Sequence, residues 1–447
     1  MLTRLLSIRP DPPPLDMPQK YPIDGSRDAL WMATAVDAPT TGSLRGDIDT
    51  DVAIIGGGLT GLNAALRLMQ HNLKVCVVEA NGLGYGASGR SGGQVNLGLN
   101  LGPAALLEKF GRTQGERLIQ MIISTPDQVF QWIKDNQLKC DPVQRGWVQG
   151  ASNQNQYKSQ RQMAAEYGNH GCELPVLDAD ALRKRSGAQG YIGGLFVPGA
   201  GSLHPLSYTR ELARAAMAKG AQVFTDSTVT GLSQSDNRQW QISTSGGNIN
   251  SRQVLICTNG YTDSLINGLQ QTVVPVRSLL VATEPLDADT RQQVLLNQVT
   301  FVDKRRLILY FRYDRDGRLC VGDHGPMRDQ FRLEDFNAVK KRAVAVFPQL
   351  AGKRWDYHWG GRVAMTKNTL PFLYHIAPGL TAGMGYNGRG VGMGTMMGKA
   401  LAQSIVSPEA CDFPQSQPKR FLMHKFHSAG VSMTVKWLAL RDHLDSL

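Results

Sequence analysis

The chain has 447 residues, 42% of them hydrophobic, and a formal net charge of +11. This length predicts two closely joined domains, and the composition excludes a disordered chain. No apolar run reaches the roughly 18 residues that a membrane-spanning helix needs, and the proline-broken start is not typical of a secretory signal. Six scattered cysteines without a C-x-x-C pair fit a reducing compartment, so we expect a cytoplasmic protein without a structural metal.

The basic residues form no dense block. This distribution predicts a solvated surface that attracts anionic substrates, and it predicts no nucleic-acid partner. A peripheral contact with a membrane surface is the alternative explanation of the positive net charge. Residues 1–50 begin with a proline-rich stretch, and we expect them to form an extended arm that Trp31 anchors to the body of the protein.

A dinucleotide-binding motif follows the arm. Residues 52–55 predict a buried strand, the spacing G-x-G-x-x-G comes next, and an amphipathic helix leads to a second strand that ends at Glu79. The glycines let a pyrophosphate approach a helix N-terminus, and the carboxylate accepts bonds from ribose hydroxyls. A glycine-rich turn in some other α/β protein would leave Glu79 unexplained. The predicted contacts are Gly56, Gly58, Leu59, Thr60, Gly61, Glu79 and Ala80.

The glycine-dense polar loop at residues 82–94 bears on the choice between NAD and FAD, which share this motif. The loop is too long for an ordinary connection, which indicates a functional segment. Such a segment can lie along an extended FAD molecule, whereas a flexible linker is the alternative. The residues expected to contact FAD are Ala87, Ser88, Arg90, Ser91, Gly92, Gly93 and Gln94.

Helical patterns follow at residues 103–137, 154–167, 178–185 and 206–219, and strand patterns at 145–148, 221–224, 240–244 and 253–258. In a doubly wound sheet the strand ends border the nucleotide crevice. We therefore expect Val229, Thr258, Asn259 and Gly260 to contact the cofactor.

From residue 273 to about 347 the pattern changes to alternating strands, at 278–283, 306–313 and 319–322, with hairpin chemistry at 314–317. These strands predict an antiparallel sheet that roofs a substrate cavity. One face of the middle strand would carry Tyr310 and Arg312 toward that cavity.

A second glycine-rich turn, at residues 383–394, opens another helix. Its backbone N–H groups and positive dipole end would stabilise the negative charge that a flavin gains on reduction. Close helix packing through small residues is the alternative. The predicted contacts are Gly388, Arg389, Gly390, Val391 and Gly392, with Tyr386 beside the substrate.

These segments together resemble the superfamily of FAD-dependent amine and amino-acid oxidases (DAO), which includes D-amino-acid, glycine and sarcosine oxidases. Within it, the γ-glutamylputrescine oxidase-like group is the most similar. The resemblance is carried, in the family's order, by GGGLTGLNAAL, VVEANGLGYGASGRSGGQ, GSLHPLSYTRELARAA, LICTNGYT, LILYFRYDRDGRL and MGYNGRGVGMGTMMGKALA.

The resemblance implies an α/β chain, α+β overall, in which a Rossmann-type FAD-binding domain carries an inserted antiparallel-sheet substrate domain. The FAD domain would comprise residues 51–105, 190–262 and 355–410, and the substrate domain 106–189 and 263–354; residues 411–447 form a C-terminal segment. The implied reaction oxidises a C–N bond of an amino acid or secondary amine by hydride transfer to flavin N5. The imine then hydrolyses, and oxygen or an electron carrier reoxidises the flavin.

Two departures from the family refine this expectation. The loop and the closing motif lack the histidine or cysteine that holds flavin covalently in some relatives, so we expect non-covalent FAD. Gly361 and Arg362 resemble a Gly-x-Arg turn of glycine oxidases, with a register one residue longer. There the arginine binds the substrate carboxylate, so the resemblance implies an amino-acid substrate, with a polyamine-type substrate as the alternative.

We assign the substrate contacts to Arg362, with Tyr310, Arg312 and Tyr386 adding further bonds. No acid–base pair is expected, because a neutral amine can lose its α-hydrogen directly to a well-placed flavin. An NAD(P)H-linked flavoprotein reductase would need a second nucleotide motif, which does not occur after Gly61. A non-catalytic flavin-binding subunit would leave the polar cavity residues without a purpose.

Overall fold

A computed structural model describes residues 23–24, 29–235 and 237–444. The proline-rich start of the expected arm therefore lies outside the described residues. The helices are α1 (Leu30–Thr34), α2 (Leu59–Leu68), α3 (Pro103–Asp135), α4 (Gln154–Gly168), α5 (Ala179–Ser186), α6 (Pro205–Ala218), α7 (Ala288–Arg291), α8 (Asn337–Val346), α9 (Gly390–Val406) and α10 (His427–Leu444). Across these residues, no helix is both long and apolar enough to cross a membrane.

The strands are β1 (Ile23–Asp24), β2 (Ile48–Ile55), β3 (Val75–Val78), β4 (Gln94–Val95), β5 (Trp147–Ala151), β6 (Val176–Asp178), β7 (Gly193–Val197), β8 (Gly201–Ser202), β9 (Gln222–Phe224), β10 (Val229–Gln234), β11 (Trp240–Thr244), β12 (Gly247–Ile256), β13 (Val273–Pro285), β14 (Thr300–Asp303), β15 (Tyr310–Tyr313), β16 (Arg318–His324), β17 (Gln330–Phe331), β18 (Trp355–Thr366), β19 (Phe372–Ala377) and β20 (Leu380–Met384).

The first large sheet has the order β10-β11-β12-β2-β3-β9, and β20 joins it beside β12. Five strands of this sheet pair in parallel: β9 with β3, β3 with β2, β2 with β12, and β12 with β20. Helices α2, α6 and α9 pack together on one face, where Leu62, Leu66 and Leu401 are fully buried. This confirms the predicted Rossmann-type domain.

The second large sheet has the order β18-β13-β16-β15-β14-β5-β7-β6. Its pairs are antiparallel, as predicted, with the exception of β14 and β5, which run parallel. An aromatic cluster packs under it, with the Phe311 and Phe347 ring centroids 5.1 Å apart. The second sheet therefore has a hydrophobic core of its own.

Strand pairing moves the predicted domain boundaries. Residues 193–197 and 355–366, which we expected in the FAD domain, pair with β5 and β13 in the second sheet. The predicted strand 306–313 is also too long, since strand β15 begins at Tyr310. The N–H groups of Arg306 and Leu307 instead bond to the Asp442 carboxylate, and that of Leu309 bonds to Asp303.

Trp31 anchors the segment that precedes β2, as expected. Its side chain is fully buried, and Nε1 donates to the carbonyl oxygen of Ser91 at 2.9 Å. The indole packs edge-on against Trp359, with ring centroids 5.7 Å apart. This segment thus fixes the loop at residues 82–94 against the second sheet.

Candidate active site

A groove lies at the carboxyl ends of β2, β3 and β12, with a volume of about 320 Å³. Gly56 has a φ of +114°, and a Cβ there would lie 2.9 Å from the Cys257 carbonyl oxygen. A Cβ on Gly61 would lie 2.2 Å from the carbonyl oxygen of Gly56. Only glycines therefore allow the backbone to turn tightly into α2.

Glu79 stands at the end of β3 in this groove. Its carboxylate accepts hydrogen bonds from the N–H groups of Gly57 at 2.8 Å and Asn81 at 3.0 Å. Burial raises the pKa of the Glu79 carboxyl, and these backbone bonds oppose that rise. Backbone N–H groups thus hold both carboxylate oxygens in the lining of the groove.

Two helix N-termini adjoin the groove. Helix α2 begins after Gly58, which has no side chain, and the N–H group of its first residue, Leu59, donates to Ser88 Oγ at 2.9 Å. Helix α9 begins after Arg389, whose side chain makes no capping bond within the described residues. A Cβ on Gly388 or Gly390 would meet no atom within 4 Å. Positive dipole ends beside open space are the features of a site for an anionic ligand.

The predicted cofactor residues are largely brought together along this groove. Those that line it are Gly56, Gly58, Leu59, Thr60, Glu79, Ala80, Ala87, Ser88, Ser91, Val229, Thr258, Asn259, Gly260, Gly388 and Gly390, together with Arg362 and Tyr386. Gly57, Asn81, Tyr85, Tyr261 and Asn387 also line the groove and were not predicted.

Three predicted residues, Gly61, Gly392 and Arg312, line neither this groove nor the second cavity described below, among the residues that the structure describes. Gly61 and Gly392 serve close packing, since a Cβ on Gly392 would lie 2.8 Å from Thr125. Arg312 is buried and donates to the carbonyl oxygens of Leu203 and Tyr313. Because backbone carbonyls hold its guanidinium, which also packs over Trp31, Arg312 has a structural role and faces neither space.

A second cavity, of about 430 Å³, lies between the groove and the second sheet. Arg362, Gly388 and Gly390 line both spaces, so the two are contiguous. The predicted residues that line the second cavity are Ala87, Arg90, Ser91, Gly92, Gly93, Gln94, Tyr310, Gly361, Arg362, Gly388, Arg389, Gly390 and Val391.

The two predicted tyrosines, Tyr310 and Tyr386, line different spaces. Tyr310 lines the second cavity, and its Oη lies 3.1 Å from Ser278 Oγ. Burial raises the pKa of Tyr310 to about 12, so its hydroxyl stays protonated. Tyr386 lines the groove instead, where its Oη lies 2.6 Å from Thr60 Oγ1.

Arg362 is held by a carboxylate of the protein itself. Its Nε and Nη2 donate to the two oxygens of Asp329 at 3.1 and 2.6 Å. Arg277, which pairs with Arg362 across β13 and β18, reaches the same carboxylate at 2.8 Å. The planar fork of Arg362 thus already binds a carboxylate in two-pronged geometry at the junction of the two spaces.

A histidine–carboxylate pair lies in the wall of the second cavity, where no acid–base pair was expected. His324 Nδ1 lies 2.6 Å from Asp323 Oδ1, and both residues line the cavity. Asp323 is buried and also binds Arg342 at 2.5 Å. An Nδ1–H bond to the carboxylate leaves Nε2 as the proton acceptor. Asp323 and His324 are neighbours in the sequence but belong to no recognisable motif, and the pairing of β16 with β13 puts them beside Arg277.

The comparisons with known proteins agree with this geometry. A family model described as FAD dependent oxidoreductase (DAO) matches residues 51–404. The chain belongs to this family.

Among curated relatives, the probable oxidoreductase OrdL of Haemophilus influenzae is 32% identical over 80% of this chain and 83% of its own length. The gamma-glutamylputrescine oxidoreductase of Escherichia coli is 29% identical over 81% of this chain and 85% of its own. The crystal structure of glycine oxidase from Geobacillus kaustophilus superposes with a TM-score of 0.67 at 21% identity, and covers 79% of this chain and 94% of its own.

The residues of this DAO-family oxidoreductase fit FAD. The glycine-lined turn at α2 suits a pyrophosphate, and Glu79 suits ribose hydroxyls. Two buried polar atoms support the assignment: within the described residues, Arg90 Nη2 and Tyr261 Oη have no hydrogen-bond partner. Both residues adjoin the spaces where a ligand would supply one. The chain is thus an FAD-dependent oxidoreductase.

Proposed function

We propose that the protein oxidises the C–N bond of an amine that carries a carboxylate, such as an amino acid or a secondary amino acid. The observation that carries this proposal is Arg362, a two-pronged carboxylate binder at the junction of the cofactor groove and the second cavity. The cavity is also lined by Arg277, Arg306 and Arg389. Asp323 is the acidic residue among its described lining residues and pairs with Arg342, while Asp329 and Asp442 pair with Arg277 and Arg306 from outside the lining. Such a wall favours an anionic substrate group.

Arg362 would fix the substrate carboxylate and so set the position of the α-carbon. Reacting atoms must approach within about 3–3.5 Å, which a two-point contact to a rigid strand can enforce. The substrate carboxylate would replace that of Asp329, which is half-exposed and outside the cavity lining. Tyr310 and Leu280 would form the adjoining wall and limit the access of water.

His324 would remove the proton of a substrate ammonium group. Asp323 holds the ring through Nδ1, so Nε2 is the atom that takes the proton. Loss of that proton gives the neutral amine, whose α-hydrogen can then leave with its electron pair.

FAD, when bound, supplies the acceptor for that hydride. The groove residues around Gly58, Ser88 and Glu79 would hold its nucleotide half, and the turn at Gly388 to Gly390 would adjoin its ring system. We propose that the attachment is non-covalent, because Cys257, the cysteine that lines the groove, is buried with a raised pKa and stays an unreactive thiol. Acid precipitation should then release all of the flavin. Oxygen or an electron carrier would act as the final acceptor.

A longer substrate of the γ-glutamylputrescine type is the second candidate. It is favoured by the gamma-glutamylputrescine oxidoreductase relative and by the cavity volume of about 430 Å³, which exceeds what a small amino acid fills. Its carboxylate would lie far from the reacting amine.

The test compares two variants on a panel of amino acids and the matching decarboxylated amines. If Arg362 binds the substrate carboxylate, Arg362→Ala should lose on the order of 100-fold in kcat/KM for amino acids, about 2.7 kcal/mol, and little for the amines. Asp329→Asn breaks the same ion pair but keeps Arg362, and should retain activity. Equal losses in both variants would make the ion pair structural and would favour the longer substrate.

A further inference from the structure

Helix α10 has one face against the body of the protein and an opposite face in solvent. Val431, Val435, Leu438 and Asp442 are half-buried, at a spacing that places them on a single face. The Asp442 carboxylate accepts the N–H groups of Arg306 at 3.2 Å and Leu307 at 3.1 Å. The inner face is therefore docked at the rim of the second cavity, which Arg306 and Leu307 line.

The outer face of α10 is an apolar ridge. Met433, Trp437, Leu440 and Leu444 follow the same spacing, about 180° from the inner face, and are 73, 55, 55 and 53% exposed. The segment before the helix adds Leu422, Met423 and Phe426, which are 96, 69 and 52% exposed. A helix that is apolar on opposite faces is normally covered on both, so this outer ridge requires a partner.

Basic side chains flank the ridge. Lys436 and Arg441 are exposed on its two sides, and the Arg441 guanidinium lies 5.4 Å from the Trp437 ring centroid. Lys425 lies over Phe426 in the preceding turn. Asp442 is the only acidic residue in the sequence from 414 to 444, and it points inward to the Arg306 loop. Within the described residues, the outer face of α10 thus combines apolar side chains with positive charge and carries no acidic side chain.

We propose that this outer face of α10 binds the surface of a bilayer that contains anionic phospholipid. Large apolar side chains insert at the boundary between headgroups and acyl chains, while lysine and arginine reach up to the phosphates. A second copy of the chain fits less well. Two such helices face to face would bring Lys436 and Arg441 close to the same basic side chains of the second copy, and no exposed carboxylate of the described part of α10 would offset the charge.

Binding would place the lipid surface next to the substrate cavity. The last turn of α10 carries Leu440 and Leu444 outward and holds the cavity rim through Asp442. The proposal does not depend on which amine the enzyme oxidises, since it concerns residues outside both the groove and the cavity.

The test is cosedimentation of the full-length, FAD-loaded protein with vesicles of phosphatidylcholine alone or mixed with phosphatidylglycerol. We expect binding to the mixed vesicles that weakens as salt is raised. The double variant Trp437→Ser, Leu440→Ser should bind at least about tenfold more weakly, since it removes two inserted side chains. Lys436→Gln with Arg441→Gln should remove the preference for phosphatidylglycerol. FAD content and the thermal midpoint should stay unchanged in all variants.

A matched control is Val176→Ser with Ile192→Ser, which removes two exposed apolar side chains far from α10 in sequence and should bind vesicles normally. The proposal would be overturned if the control and both α10 variants bound the mixed vesicles equally well. It would also be overturned if the wild-type protein bound neither vesicle type. The ridge would instead be a site of self-association if the wild-type protein bound no vesicles but formed a stable dimer, and if the double variant Trp437→Ser, Leu440→Ser were monomeric.

Discussion

His324 lines the second cavity, and Asp323 fixes its ring at 2.6 Å, so we assign to it the removal of a proton from the proposed substrate. We expect His324→Gln to lower kcat/KM by about 100-fold where the substrate amine is still protonated. The loss should shrink as pH rises above the pKa of the substrate amine, because the neutral amine then binds directly. The measurement is a pH profile of flavin reduction. His375→Gln, exposed on β19, is the control; a loss of the same size at every pH would refute the assigned role.

Most residues that line the groove were predicted from the sequence, as were Arg362 and Tyr310 in the second cavity, whereas the ion-pair partners of Arg362 and the Asp323–His324 pair were not. Gly56, Gly58 and Glu79 lie within one strand–helix–strand unit, so their spacing in the chain fixes their spacing in the groove. Arg277 and Asp329 are brought to Arg362 by long-range strand pairing and a loop, which leave no local pattern. Arg312 was assigned to the correct strand, but whether the backbone carbonyls of a distant loop capture its guanidinium depends on tertiary packing.

Helix α9 gives a prediction at the scale of an element. A Cβ on Gly390 would meet no protein atom within 4 Å, so Gly390→Val should change the free energy of unfolding of the FAD-free protein by less than about 1 kcal/mol. The same side chain would fill space beside the cofactor groove, so we expect FAD affinity to fall at least about tenfold. Titration of the FAD-free protein with FAD measures this. The control variant Gly430→Val, at a glycine that also has open space around it, should bind FAD with the wild-type affinity. If Gly390→Val also bound FAD with the wild-type affinity, the turn at Gly390 would not adjoin the cofactor.

The two sheets show why element boundaries were harder to predict than element types. The sequence pattern does not show to which domain residues 193–197 and 355–366 belong. Their pairing with β5 and β13 assigns them to the second sheet. Likewise, the alternation at residues 306–309 is typical of a strand, but Asp442, more than a hundred residues later, takes the N–H groups that a ladder would use. Long-range partners therefore decided both boundaries.

The charge of the whole molecule bears on how the substrate arrives. The chain carries +11, and the cavity wall holds Arg277, Arg306, Arg362 and Arg389. At low salt such a field should attract an anionic substrate, and it is screened when the Debye length falls from about 30 Å at 0.01 M to about 10 Å at 0.1 M. We expect kcat/KM for a substrate with net negative charge to fall several-fold over that range. The matching decarboxylated amine serves as the control and should show a flat or rising dependence, because it carries no negative charge. Parallel salt curves for the two substrates would mean that the arginines act only by contact within the cavity.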